Sequence, residues 1–197
     1  MPRPVIHREK MTNTKLNEGG IASIFTSAAI VVALVLVIST AWYFSTREKT
    51  SGTGDTNIGV ESGQTAPDFT LTDIDGNTFS LSDHRDHVVI MDLMATWCGP
   101  CITEMGHLRQ IYGNYSASEV VIMSIDVDPT ESDEMIRQFK TNYGDDWIFV
   151  SGPNVGVTYE AFYIPTMYIV DQQGRIAYKN VGVTSASTLA SEIDKLL

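Results

Sequence analysis

This sequence predicts an α/β domain, a central mixed sheet with helices on both faces, preceded by one N-terminal transmembrane helix. Three observations predict it. Strand-like and helix-like segments alternate from residue 64 to 197, two continuous apolar runs read as strands covered on both faces, and 26 residues upstream carry no charge at all.

The uncharged stretch runs from Ile21 to Thr46, with an all-apolar centre at Ala28–Ile38. At about 1.5 Å per residue it reaches across a hydrocarbon core of about 30 Å. Trp42, Tyr43 and Phe44 suit an interfacial aromatic belt. A buried soluble helix seldom needs such a length without a polar stripe. A cleavable signal peptide is the rival reading, because Ser39-Thr40-Ala41 supplies small residues, but the run exceeds the usual h-region of about 7–15 residues. Arg3, Arg8, Lys10 and Lys15 precede the span, which places residues 1–20 in the cytoplasm and the C-terminal domain outside, on a single-pass cell-membrane protein. Residues 47–63, rich in Gly, Ser, Thr and Asn, read as a flexible linker, and the domain is expected over 64–197.

Within the domain, Phe69–Thr72 and Thr78–Leu81 flank an Asp75-Gly76 turn and predict a hairpin. Val88–Leu93, apolar but for Asp92, and Val120–Ile125 read as central strands. A helix is expected from Pro100 to Tyr112, and another from Thr130 to Tyr143 with Glu131, Asp133 and Glu134 in its first turn. Trp147–Val150 reads as a strand and Val155–Phe162 as a short helix. Met167–Val170 and Ile176–Asn180 form a second hairpin about Gln172-Gln173-Gly174, and Ser187–Leu197 closes the chain as a helix.

The net charge is −11, and the chain from Arg47 onward carries −13. Such a balance excludes nucleic acid as a partner, since phosphate binding needs a positive footprint. Only two cysteines are present, which excludes a disulfide-dense scaffold and a four-cysteine zinc site.

Those two cysteines stand in Trp97-Cys98-Gly99-Pro100-Cys101, after a buried strand and at the opening of a helix. Cys98 then lies where unpaired N–H groups and the helix dipole stabilise a thiolate. Cys101 follows one turn later, close enough for a disulfide, and Pro100 presets the helical φ. Cys98 is the expected nucleophile and Cys101 the more buried resolving thiol. A zinc pair would need two further ligands. His84 and His87 are the only candidates, and a solvated loop explains them better.

At this motif the chain resembles the thioredoxin superfamily, residue for residue. Ala66-Pro67-Asp68-Phe69, the Asp75-Gly76 turn and the anchor narrow the resemblance to the TlpA/ResA group of membrane-tethered extracytoplasmic thioredoxins, over residues 64–197. Peroxiredoxins share the Ala-Pro-Asp-Phe opening, but their peroxidatic cysteine motif is absent here. The resemblance implies a thioredoxin-like fold and a thiol–disulfide oxidoreductase that needs no metal, flavin or nucleotide. It implies that Asp92 exchanges protons with Cys101, the alternative being a structurally paired strand-end acid. It implies an active-site role for Glu104, the alternative being a first-turn acid that favours the helix dipole. Ile164-Pro165-Thr166 matches the family's cis-proline loop, whose residue before proline pairs with an extended client, against an ordinary trans proline. Cys98, Cys101, Asp92 and Glu104 are thus the candidate catalytic residues. Trp97, Gly99, Pro100, Ile164 and Pro165 form the candidate client platform, with Met94 in place of the usual tryptophan beneath it. The remaining aromatics are expected in the core.

The expected activity is reduction of protein disulfides through a Cys98–Cys101 couple, with apocytochrome c among the implied clients and a membrane electron donor of the DsbD/CcdA type. A non-catalytic holdase on the same fold, or a secreted and cleaved oxidoreductase, are the alternatives.

Overall fold

The computed structural model describes residues 57–197. The expectations for the cytoplasmic segment, the membrane span and most of the linker lie outside them. Among the described residues no helix is long and apolar enough to cross a membrane.

The sheet is built on strand β3 (Val88–Met94), whose seven residues are all buried. Alternation explains this. Val88, Ile90 and Met94 enter one core, and Val89, Met91 and Leu93 enter the other. Strand β4 (Val120–Asp126) pairs parallel to β3, with Asp92 opposite Ser124 and Met94 opposite Asp126. Beyond it lies β5 (Ile148–Ser151), also parallel. On the other side β6 (Thr166–Val170) and then β7 (Ile176–Val181) run antiparallel, so the order is β5-β4-β3-β6-β7.

Three helices cover the first face: α1 (Gly99–Asn114), α2 (Asp133–Tyr143) and α4 (Ala186–Ile193). Met105, Leu108, Ile136, Phe139, Leu189 and Ile193 interlock there with Ile90, Ile122 and Ile169. The second face carries a shorter helical cover. Helix α3 (Pro153–Thr158) lies there, and the rest is closed by Phe79 of the hairpin β1 (Thr70–Thr72) and β2 (Thr78–Ser80), by Leu81 of the 3-10 turn that follows it, and by Val60 and Ala66. The hairpin turn is held by Asp73, whose Oδ1 accepts from the backbone N–H of Asp75 and Asn77 at 2.9 and 2.8 Å. Gly76 supplies the positive φ of 90° that the turn requires.

Four expectations are corrected. Residues 57–63 belong to the folded domain rather than to a linker, because Gly63 N–H donates to Ile176 O at 2.8 Å and Val60 is buried. Helix α2 starts at Asp133, capped by Ser132 Oγ, so Glu131 lies outside its first turn. Helix α3 is shorter than expected and ends before Glu160, whose φ of 53° turns the chain out of the helix. Helix α4 stops at Ile193, four residues before the chain end.

Candidate active site

Cys98 is the N-cap of α1, in extended conformation, and its Sγ accepts the backbone N–H of Cys101 at 3.2 Å. Pro100 in the first turn has no N–H to leave unsatisfied. The helix start therefore aims its free amides at one sulfur, an arrangement that favours negative charge there. Cys98 and Cys101 are joined as a disulfide, with Cα atoms 5.2 Å apart. Cys101 is fully buried, and Cys98 is 4% exposed.

The Ile164–Pro165 peptide bond is cis. It brings the Ile164 carbonyl oxygen to 3.8 Å from Cys98 Sγ. Trp97 lies on the other side, 67% exposed, its Nε1 donating to Asp128 Oδ2 at 2.8 Å. Between them runs a groove of about 290 Å³, lined by Trp97, Val127, Asp128, Pro129, Phe162 and Ile164. Phe162 and Tyr163, 78% and 76% exposed, project from the loop after α3. Core packing was expected of them; the early end of α3 puts them on the surface instead.

Beneath the sulfurs lie two buried acids. Asp92 lies between Ile90 and Met94 on the same period-2 face of β3 and so faces the core that holds Cys101. Its Oδ2 accepts from Ser124 Oγ at 3.2 Å, and that hydroxyl accepts from Trp147 Nε1 at 3.1 Å. Trp147 thereby orients the single Ser124 proton toward Asp92. Asp92 Oδ1 meets no partner among the described residues. Burial pushes the Asp92 carboxyl well above its ordinary value, repulsion from Glu104 adds to this, and the Ser124 bond offsets only part.

Glu104 is buried one turn beyond Cys101, and the first turn of α1 holds no acid, so the helix-dipole alternative fails. Its Oε2 accepts from Thr184 N–H at 2.7 Å, which ties α1 to the β7–α4 connection, and its Oε1 is unpartnered among the described residues. Burial raises its carboxyl to about 7, against the lowering effect of the Thr184 bond. Ser124 and Trp147 escaped sequence reasoning, because nothing local marks a strand serine and a tryptophan 23 residues later as partners.

The structure thus brings together Trp97, Cys98, Gly99, Pro100, Cys101, Ile164 and Pro165 about one sulfur pair, with the Asp92 and Glu104 carboxyls buried on the same side of the sheet. Met94 lies fully buried in the same core as both cysteines.

A family model described as AhpC/TSA matches residues 62–179. The match takes in Ala66-Pro67-Asp68-Phe69, both cysteines and the cis-proline loop. The thioredoxin-like protein YneN of Bacillus subtilis is 28% identical over 167 residues, 83% of this chain and 94% of its own. The thiol-disulfide oxidoreductase ResA of Bacillus thuringiensis is 27% identical over 139 residues, 70% of this chain and 79% of its own. Among solved structures, a Chlorobium tepidum protein assigned as the thiol:disulfide interchange protein DsbE superposes with a TM-score of 0.62 at 26% identity, covering 70% of this chain and 99% of that one. A cysteine pair at bonding distance on this fold, in such company, makes the chain a thiol–disulfide oxidoreductase of the ResA/DsbE type. With its match across well over half the sequence, the chain belongs to the AhpC/TSA family as one of its thioredoxin-like members.

Proposed function

We propose that this chain is a membrane-anchored, extracytoplasmic reductase of protein disulfides, and that Cys98 at the amide-rich start of α1 is the observation that carries the reading. In the reduced protein the Cys98 thiolate attacks one sulfur of a client disulfide. A Cys98–client bond forms, the client bond breaks, and the departing client thiolate takes a proton from solvent. Cys101 then loses its proton, attacks Cys98 Sγ and releases the second client thiol. Two electrons have passed to the client, and the chain is left with the Cys98–Cys101 disulfide.

The Cys101 proton needs a buried acceptor. Burial raises both the Asp92 and the Glu104 carboxyl, Glu104 to about 7, so that each can hold a proton and pass it on. The client strand lies in the groove beside Trp97, with its backbone paired to Ile164 by strand addition.

The reducing direction rests on Gly-Pro between the cysteines and Ile before Pro165, which resemble reducing thioredoxins near about −270 mV rather than oxidants near about −120 mV. Outside the cytoplasm such a reductant is resupplied by a membrane conduit of the DsbD/CcdA type. An apocytochrome c with a Cys-x-x-Cys-His disulfide is a client of suitable chemistry. The anchor rests on the uncharged run 21–46 and the basic residues before it.

The test is a trap. Cys101→Ala should leave clients covalently held on Cys98, to be identified by mass spectrometry, while Cys98→Ser captures none and fails to reduce insulin. A couple poised well above about −180 mV would overturn the reducing direction. Release of the domain by carbonate washing of membranes would overturn the anchor.

A further inference from the structure

Next to the site, a second pair of carboxyls does work that the reaction above leaves unused. Asp126 ends β4 and is fully buried. Its Oδ1 accepts from Asp128 N–H at 2.8 Å. Its Oδ2 meets no N–H or O–H donor among the described residues, and the Glu131 carboxyl stands as its hydrogen-bonding neighbour. Two carboxylates cannot hydrogen-bond to each other unless one carries a proton. Glu131, outside helix α2, takes hold of the active-site segment twice: Oε2 accepts from Thr96 N–H at 2.8 Å, and Oε1 accepts from Thr96 Oγ1. Thr96 is two residues before Cys98, and the intervening Trp97 is tied to Asp128 of the same β4–α2 connection.

We infer that Asp126 and Glu131 share one proton and act as a positioning pair, holding Thr96–Cys98 in place and making Cys98 reactivity depend on whether that proton is present. The inference rests on the reading of Cys98 as the nucleophile. The surroundings favour a shared proton. From β4 and its connection the charged groups acting on Asp126 are Glu131 and Asp128, both acids. β3 brings Asp92 and α1 brings Glu104 to the same sheet face, where they act on each other. β5 pairs Ser151 with Asp126, and α2 contributes the apolar Ile136 and Phe139. Among the described residues no cation is found among the groups acting on either carboxyl. Burial first, then the Glu131 bond, raises Asp126 to about 8. Glu131 is held low, because its bonds from Asp126 and Thr96 outweigh its burial. One proton between the two carboxyls satisfies both, with Glu131 still holding Thr96. Once it leaves, two adjacent anions repel and the grip on Thr96 loosens.

The test uses the full-length chain in detergent, reduced, with Cys98 alkylation by iodoacetamide followed from about pH 6 to about pH 9. Asp126→Asn keeps an N–H donor toward Glu131 but cannot ionise. The ratio of its alkylation rate to that of the parent should climb about threefold or more as pH passes the Asp126 titration. Glu131→Gln removes the facing charge; its profile should lose the inflection, and its rate should fall at every pH. Tryptophan fluorescence should show the same inflection in the parent and none in Asp126→Asn, and the parent inflection should vanish in Trp97→Phe. A ratio that stays flat across the range, with both proteins folded by circular dichroism, overturns the pair as a positioning device. That outcome leaves the reductase reading standing, because insulin reduction tests it separately.

Discussion

Asp92 and Glu104 are two acids in one apolar core, and neither position is affordable to an ordinary carboxylate. If Asp92 accepts the Cys101 proton, Asp92→Asn should slow resolution of the mixed disulfide by about 10-fold or more at neutral pH and leave the first attack nearly unchanged. Stopped-flow tryptophan fluorescence separates the two steps. Resolution should recover at high pH, where Cys101 ionises unaided. Glu104 carries a stability signature. Its carboxyl is raised in the folded chain to about 7 from an ordinary 4.5, so the folded state binds more protons than the unfolded one between those values. Stability is then fully present below the lower value and is lost as pH rises through the upper one. Glu104→Gln keeps an acceptor for Thr184 N–H and should abolish that loss, on the order of 2 kcal/mol, in urea titrations across the window. Asp92 stood out in the sequence as an acid in an apolar run. Its partners did not, because Ser124 reaches it only through the β3–β4 register.

At the scale of elements, the strands were legible because apolar runs without breaks are what a doubly covered sheet demands, and β3, β4 and β6 lie where those runs are. Helix ends were less so. Glu131 carries the charge that suits a first turn, yet its bonds to Thr96 draw it away and leave Ser132 to cap α2. The tertiary partner 35 residues upstream outcompetes the local signal. Ser132→Ala should therefore cost about 1 kcal/mol in thermal or urea unfolding and leave the alkylation rate of Cys98 unchanged, which separates the cap from the neighbouring grip. The loop after α3 departs from its local signal in the same manner. Phe162 and Tyr163 continue an apolar segment, and only the left-handed turn at Glu160 reveals that they face outward beside the groove.

For the whole molecule, net charge reaches further than any single contact. A chain that carries −13 from Arg47 onward favours the approach of cationic clients over anionic ones. A disulfide-bridged peptide flanked by lysines should be reduced faster than its glutamate-flanked twin, and the advantage should shrink from 0.01 M to 0.1 M salt as screening shortens from about 30 to about 10 Å. Equal rates for the two peptides at low salt would exclude steering by this charge. The same acidity was plain in the composition, whereas the seating of residues 57–63 was not, since small polar residues read alike whether tethering or folded. That strap joins the sheet at Ile176, beside Val170, whereas Thr166 and Leu93 mark the opposite end, where the cysteines follow β3. Residue 57 accordingly lies at the pole of the sheet far from the sulfurs, so a load applied there would enter the fold at the end opposite the reactive pair.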